Sequence, residues 1–193
     1  MICSYCGASL LFMKQVVLDA DVQRSILIYL AGVYGLSSKA MKLVLQNCRS
    51  VAEFERLTPA DLEGFGLTQS ASRRISSRLA RLSVCEFEEQ IEKLRIKSVT
   101  IGDIGYPDSL QSIQSPPQVL FCRGNVDALK LDKRVAVVGT RRPSVYGKQM
   151  AQKIAKRLAG ENVCVVSGLA LGVDSIAQKS VVEVGGVTIG VLG

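Results

Sequence analysis

The last third of the chain alternates between short apolar runs and longer amphipathic stretches. The apolar runs occupy residues 135–138, 163–166 and 187–192, and none of them contains a charged residue. Uninterrupted runs of this kind are typical of parallel strands that are covered on both faces of a sheet. The stretches between them, 146–160 and 173–184, have the length and periodicity of the helices that connect parallel strands in right-handed crossovers. This alternation predicts an α/β fold with a mostly parallel sheet.

A glycine and two arginines follow the first of these strands, in the sequence VAVVGTRRPSVYG at residues 135–147. Ligands of parallel sheets bind beyond the carboxyl ends of the strands. Gly139 allows a sharp turn there and lets a ligand approach the backbone amide. The forked guanidinium groups of Arg141 and Arg142 match pairs of phosphate oxygens. Ser144 is a suitable N-cap, and a helix N-terminus attracts anions.

The second strand ends in a similar way, at Ser167 and Gly168. Because the carboxyl ends of adjacent parallel strands meet at one edge of the sheet, the two segments together predict a positively charged notch for phosphate. Asp174 is expected to be structural at the start of the next helix, with a contact to a sugar or an arginine as the alternative. The predicted phosphate-binding set comprises Gly139, Thr140, Arg141, Arg142, Ser144, Lys148, Ser167, Gly168 and Lys179.

Charge and composition limit the kinds of ligand and reaction that this notch is expected to support. The formal net charge is +7, and residues 134–193 hold eight Lys or Arg against three acids, which favours an acidic partner such as nucleic acid. The chain has no histidine, which excludes Ser-His-Asp and Cys-His catalysis and histidine metal sites. Neither G-x-G-x-x-G nor a P-loop is present. We therefore expect a binding protein without a cofactor, not an enzyme.

The sequence before residue 98 predicts a small helical domain. Residues 21–97 contain a series of helix start signals at Asp21, Ser38, Ser50, Thr58, Thr68 and Ser83. Residues 1–20 are predicted to be a poorly ordered N-terminal segment. Residues 98–133, with strands expected at 99–101 and 118–122, are assigned to the second domain, 98–193, as a lead-in.

Two features of the helical domain admit both a structural and a binding interpretation. The glycine turn at 62–66, LEGFG, resembles the helix–hairpin–helix class, in which turn amides contact phosphate, although a compact packing module is favoured. Four arginines lie off the apolar stripe of one predicted helix, where they either follow a nucleic-acid backbone or form a solvated face. They are Arg73, Arg74, Arg78 and Arg81.

The six cysteines give no clear metal or disulfide pattern. Cys3 and Cys6 have the spacing of a zinc half-site, but no second pair lies at a suitable distance, so no metal is predicted. Buried free thiols explain the cysteines better than disulfides do. No signal peptide or transmembrane span is recognisable, which predicts a cytoplasmic protein.

Five ordered segments of the chain resemble the DprA/Smf family. They are YPDSL at 106–110, PPQVLFCRGN at 116–125, VAVVGTRRPSVYG at 135–147, VSGLALGVD at 166–174 and GGVTIGVLG at 185–193. The resemblance implies a Rossmann-like domain preceded by a SAM-like helical domain. It further implies single-stranded DNA binding, loading of the recombinase RecA and a role in natural transformation, without a catalytic step. The family's Gly-(Ser/Thr)-Arg motif corresponds to Gly139, Thr140 and Arg141.

Two departures from the family pattern qualify these expectations. Gln178 stands where many members carry a histidine, with little expected effect. The chain also ends where members continue, so the sheet is expected to be C-terminally incomplete and to expose apolar surface. A homodimer through the Rossmann-like domain is a further expectation. The alternatives are a sensor or hydrolase of small phosphorylated nucleotides and an inactive fragment.

Overall fold

A computed structural model describes residues 19–192, which divide into two compact units. The first unit comprises residues 19–94 together with Pro117–Leu120. The second comprises Arg95–Pro116 together with residues 121–192. The predicted N-terminal segment and the Cys3–Cys6 pair lie outside the described residues, apart from positions 19 and 20. No helix in residues 19–192 is both long and apolar enough to cross a membrane.

The first unit is built from six helices. They are α1 (Ala20–Ala31), α2 (Ser38–Asn47), α3 (Val51–Glu55), α4 (Pro59–Gly64), α5 (Gln69–Leu79) and α6 (Val84–Lys93). Thr58, Thr68 and Ser83 cap α4, α5 and α6 as predicted, each hydroxyl accepting a hydrogen bond from the amide three residues on. Such a cap stabilises a helix by about 1 kcal/mol.

Two predicted helix starts are shifted, and one predicted capping box is incomplete. Asp19, two residues before Asp21, caps α1, and Ser37, one residue before Ser38, caps α2. Their side chains accept hydrogen bonds from the amides of Asp21 and Ala40, whereas Asp21 and Ser38 are already helical. The Ser50 hydroxyl accepts from the amide of Glu53, but the Glu53 carboxylate accepts from the amide of Arg49. The reciprocal bond to the amide of Ser50 is therefore not part of this capping arrangement.

The amides of the turn between α4 and α5 bond within the chain. Those of Phe65, Gly66 and Leu67 donate to the carbonyls of Asp61, Glu63 and Leu62 at 2.9–3.2 Å. This arrangement supports the packing interpretation of the LEGFG sequence, because these three amides are already engaged.

Tyr29 is the central side chain of the helical core. Its ring meets those of Phe54 and Phe87 edge to face, with centroids 5.6 and 5.7 Å apart. Its hydroxyl donates to the carbonyl of Leu82 at 2.6 Å, which links α1 to the start of α6. Burial raises the pKa of Tyr29, so the phenol stays protonated and remains a donor.

Replacing Tyr29 with phenylalanine is expected to lower the free energy of unfolding by about 1 kcal/mol, because one buried hydrogen bond is lost. The ring packing is retained in this variant. Urea denaturation followed by circular dichroism measures the change. Tyr34→Phe is the matched control, since Tyr34 is almost fully exposed and its replacement should leave stability unchanged. Equal midpoints for the two variants would contradict the role given to the hydroxyl.

A small pair of strands and a parallel sheet lie in the second unit, apart from the first two residues of β2, which are assigned to the first unit. Strands β1 (Ile96–Thr100) and β2 (Val119–Arg123) pair, and the short helix α7 (Asp108–Gln111) and a 3-10 turn (Val126–Lys130) follow β1 and β2 respectively. Strands β3 (Arg134–Ala136), β4 (Cys164–Ser167) and β5 (Thr188–Gly190) form a parallel sheet in the order β3-β4-β5. The predicted mixed fold with a parallel sheet is confirmed at this level.

Helices α8 (Val145–Gly160) and α9 (Val173–Glu183) connect the parallel strands. Their common core joins Ala155, Val165, Ala177 and Val181, so both helices lie on the same face of the sheet. This is the result of two right-handed crossovers that advance in one direction.

The expectation that both faces of the sheet are covered is wrong for β3 within the described residues. Val135 in β3 is 42% exposed, and Val138, which follows the strand, is 69% exposed.

The apolar periodicity of residues 146–160 predicts that Met150, Ile154, Ala155 and Leu158 lie on the buried face of α8. Ile154 is instead 46% exposed, because Ala151 and Ala155 form the buried face of that helix. Ala155 shares a core with Ala177 and Val181 of α9, and the larger isoleucine lies outside this core.

The four described cysteines are free thiols. Cys48 and Cys164 are buried, and burial raises the pKa of Cys48 to about 12. Cys85 is exposed, so the prediction of buried thiols is wrong at this position.

Candidate phosphate-binding site

The carboxyl ends of β3 and β4 lie side by side and are bonded to each other. The amide of Val137 donates to the carbonyl of Val166 at 3.0 Å, which extends the strand pairing past the end of β3. The hydroxyl of Ser167 donates to the carbonyl of Val137 at 2.7 Å. The two predicted segments therefore meet at one edge of the sheet.

Asp174 joins the two glycine turns at this edge. Its carboxylate accepts hydrogen bonds from the amide of Gly139 at 3.2 Å and from the amide of Gly168 at 3.0 Å. Burial by itself raises the pKa of this carboxyl, but the amides that donate to it outweigh burial and hold the pKa below its usual value. Asp174 is therefore a charged internal acceptor, in agreement with the structural role expected for it.

This arrangement changes the role expected of Gly139 and Gly168. Their amides are occupied by Asp174, so they do not provide free donors for a ligand. Both glycines instead allow close packing. A Cβ at Gly139 would lie 2.8 Å from a methyl carbon of Val173, and one at Gly168 would lie 3.0 Å from the carboxylate of Asp174.

The segment that carries the two arginines is fixed at both ends. The amide of Val173 donates to the carbonyl of Thr140 at 3.1 Å, and the hydroxyl of Thr140 accepts from the amide of Arg142 at 3.2 Å. Ser144 is the N-cap of α8, as predicted, and its hydroxyl accepts from the amide of Gly147 at 3.1 Å.

Gly172 lies directly beneath this segment. It has a φ of 92° and a ψ of −131°, a conformation that glycine adopts and that side-chain-bearing residues avoid. A Cβ there would collide with the carbonyl oxygen of Thr140 and would lie 2.7 Å from the Cα of Arg141. Sequence analysis did not include Gly172 among the site residues, although it occurs in the segment VSGLALGVD.

Arg141 and Arg142 are exposed on this segment. Among residues 19–192, neither guanidinium group makes an ion pair or a side-chain hydrogen bond, and the carboxylate of Asp174 is directed to the amides of Gly139 and Gly168. The two positive charges are therefore not neutralised by the described part of the chain. They are the groups best placed to receive an external anion.

The predicted lysines differ in their position. Lys148 is exposed in the first turn of α8, close in sequence to the Ser144 cap. Lys179 is exposed on α9, six residues past its start, which places it about 9 Å along the helix from the sheet edge. Tyr146, the nearest aromatic residue in sequence to the arginines, is 71% exposed.

Gln178 has a structural contact that sequence analysis did not predict. Its side-chain nitrogen donates to the carbonyl of Ile189 at 3.1 Å and to the hydroxyl of Thr188 at 3.3 Å. The residue is buried and links α9 to β5. Because its partners lie on another element, local sequence carried no signal for this role.

The second unit matches a known family. A family model described as DNA recombination-mediator protein A matches residues 97–193, which is half of the chain. The chain belongs to the DprA/Smf family. The predicted resemblance is therefore confirmed, and the matched region contains the whole of the phosphate-binding set.

Curated DprA and Smf proteins are similar to this family member over different parts of its length. The DNA processing protein DprA of Bacillus subtilis is 37% identical over 97 residues, which cover 50% of this chain and 33% of that protein. Protein Smf of Synechocystis is 31% identical over 83% of this chain and 42% of that protein. The chain therefore spans less than half of the length of these relatives.

A solved DprA structure also matches. The X-ray structure of DNA processing protein A from Streptococcus pneumoniae aligns with a TM-score of 0.64 and 30% identity, covering 87% of this chain and 57% of that chain. The likeness extends beyond the 97 residues of the family match. It therefore includes part of the helical unit.

Proposed function

We propose that this DprA/Smf family member binds single-stranded DNA through the edge of its parallel sheet and acts as a recombination mediator. The observation that carries the proposal is the pair of exposed guanidinium groups, Arg141 and Arg142, without a carboxylate partner in the described chain. Uncompensated arginines on a fixed segment suit the phosphates of a flexible polymer.

The internal hydrogen bonds of the site favour contact with phosphate through side chains and not through backbone amides. The amides of Gly139 and Gly168 are bonded to Asp174, so the available donors are the guanidinium groups, the hydroxyl of Thr140 and the ammonium of Lys148. Contacts of this kind do not distinguish one base from another. The proposed binding is therefore tolerant of sequence and sensitive to salt.

The proposed function does not include catalysis. A nucleotide hydrolase would require an acid or base free to act near the glycine turns, and Asp174 is instead bonded to two backbone amides. With no histidine in the chain, the remaining groups at the edge are those of a binding site. This supports a binding protein over the hydrolase alternative, while the nucleotide sensor is distinguished by the binding experiment below.

Membership of the family extends the proposal to the location, the partners and the fold classes of the chain. We propose that the chain acts in the cytoplasm, that it helps to load RecA onto single-stranded DNA during natural transformation, and that it forms a homodimer through the unit with the parallel sheet. We also assign that unit to the Rossmann-like class and the helical unit to the SAM-like class. Among these proposals, the family description as a recombination mediator supports the role in recombination.

Removal of the two arginines tests the proposal. The variant Arg141→Ala with Arg142→Ala is expected to bind a labelled oligothymidine about thirtyfold more weakly at low salt, because two phosphate contacts are lost. Fluorescence anisotropy measures the affinity, and its salt dependence should become shallower by about 1.4 log units per log unit of salt.

The matched control removes two charges from the same unit at a different place. Lys153→Ala with Arg157→Ala changes the net charge equally, on exposed positions further along α8. If the control and the test variant lose the same affinity, the effect is one of overall charge and the proposed site is wrong. Displacement of the DNA by a mononucleotide at micromolar concentration would favour the sensor alternative.

A further inference from the structure

Helix α5 of the first unit carries positive charge only. Residues 67–82, which include the helix and its flanks, contain four arginines and no acid. The helical spacing places Arg73, Arg74 and Arg78 on one side of α5, and Arg81 follows two residues past the end of the helix. Together with Ser77 and Leu82 they line an open groove of about 470 Å³, which we call the arginine groove.

Arg78 is held in a fixed position within the arginine groove. Its guanidinium group donates to the carbonyl of Gly32 at 2.9 Å and stacks on Tyr29 and Phe87, 5.1 and 4.5 Å from the ring centroids. A Cβ at Gly32 would lie 2.9 Å from the Nη2 of Arg78, so glycine at this position makes room for the guanidinium group.

Arg74 is held in the same manner at the end of α1. Its guanidinium group donates to the carbonyl of Tyr34 at 2.9 Å, and a Cβ at Gly35 would lie 2.5 Å from its Nη1. Helix α1 has no basic residue of its own in its last turn. Arg74 and Arg78 therefore satisfy carbonyls that follow this helix.

These contacts order the guanidinium groups but do not neutralise them. The partners of Arg74 and Arg78 are neutral carbonyls and aromatic rings, and the Nε of Arg78 is buried without a hydrogen-bond partner. Arg73 and Arg81 are exposed, and in residues 19–192 their side chains make no hydrogen bond or ion pair. Like charges at helical spacing repel, so the cluster favours the arrival of an anion.

We infer that the arginine groove is a second binding surface for the phosphate backbone of single-stranded nucleic acid. The four arginines extend over nine residues from Arg73 to Arg81, which is about 12 Å at the helical rise. This length exceeds the size of one phosphate group and suits successive charges of a polymer. The forked groups match phosphate oxygens in pairs. This inference rests on the proposed function, because it assigns the same polymer to a second surface of the chain.

The test removes the two arginines that make no intramolecular contact. The variant Arg73→Gln with Arg81→Gln, made in the whole chain, is expected to bind oligothymidine about tenfold more weakly and to show a salt slope lower by about 1.4. Its thermal unfolding should match that of the unmodified chain. The charge-matched control is Arg49→Gln with Arg56→Gln, two exposed arginines of the same unit that do not line the groove.

The outcomes separate this inference from the proposed function. Unchanged affinity in the variant Arg73→Gln with Arg81→Gln, or a loss equal to that of the control, overturns the assignment of the arginine groove as a binding surface. If the Arg141–Arg142 variant still binds weakly in that case, the proposed function stands. A loss in the Arg73–Arg81 variant with none in the Arg141–Arg142 variant supports the groove and overturns the sheet-edge site. A chain that binds no oligothymidine at low salt overturns both.

An acidic polypeptide is the competing occupant, and labelled polyglutamate tests it. Binding of polyglutamate that is lost in the Arg73–Arg81 variant, while DNA binding is unchanged, would overturn the assignment to nucleic acid. Displacement of bound polyglutamate by oligothymidine, with both lost in the variant, would support it.

Discussion

Replacement of Gly172 with alanine is expected to lower the free energy of unfolding by about 3 kcal/mol and to weaken DNA binding together with it. Two effects act in the same direction. The backbone at Gly172 has a φ of 92°, which strains any residue with a side chain. The added methyl group would also occupy the space of the Thr140 carbonyl and the Arg141 backbone, so the segment that carries the arginines has to move.

Thermal unfolding, for stability, and the fluorescence anisotropy of labelled oligothymidine, for binding, together test this prediction. Gly160→Ala is the matched control, because Gly160 lies at the end of α8, has no neighbour within 4 Å of an added Cβ and does not adopt a positive φ. That control should leave binding unchanged and keep or slightly raise stability. If Gly172→Ala unfolds and binds like the unmodified chain, the close contact beneath Arg141 is wrong.

Replacement of Asp174 with asparagine is expected to lower the melting temperature of the second unit by roughly 10 °C. The amide side chain offers one oxygen acceptor and one nitrogen donor, so only one of the amides of Gly139 and Gly168 keeps its partner. The other amide then faces a second donor. Because the two glycine turns are no longer tied together, the position of Arg141 should also loosen, with weaker binding of oligothymidine.

The pH dependence of this effect has a defined sign. The pKa of Asp174 is lowered in the folded protein, so its contribution to stability is complete above the unfolded pKa of about 3.9 and is lost as the pH falls through the folded value. The difference in unfolding free energy between the unmodified chain and Asp174→Asn should therefore be constant from pH 7 to about pH 5 and shrink below pH 4. Other carboxylates with lowered pKa values are common to both proteins and cancel.

Circular dichroism melts across this pH range provide the measurement. Asp127→Asn serves as a control, since Asp127 is an exposed carboxylate that pairs with Lys130 in the same unit. Its removal should leave stability almost unchanged, because the pair is exposed to solvent. A pH-independent difference for Asp174→Asn would show that the charge of the carboxylate does not support the turns.

The features that sequence predicted correctly are those with local causes. Thr58, Thr68, Ser83 and Ser144 cap helices through bonds to amides three residues away, so a short pattern suffices to identify them. The parallel order of the sheet followed from the alternation of apolar runs and helices, because crossover geometry leaves few alternatives.

The features that sequence did not predict depend on distant partners. The carboxylate of Asp174 reaches the amide of Gly139, 35 residues away, and backbone amides leave no mark in a sequence pattern. The position of Arg78 depends on Tyr29, Phe87 and Gly32, which come from other elements. Periodicity placed Ile154 on an apolar stripe of α8, but it could not show that alanines would form the contact with α9.

Under the proposed function, the bonds from the amides of Gly139 and Gly168 to Asp174 would also affect how a bound strand moves. Rigid amides would hold each phosphate at one fixed point, so that a shift of the strand would break several bonds at once. Guanidinium groups on long, flexible side chains could instead pass from one phosphate to the next with little change in energy. A protein that binds DNA in this way could diffuse along the strand. Positions one nucleotide apart would then be equivalent for a partner protein that binds later.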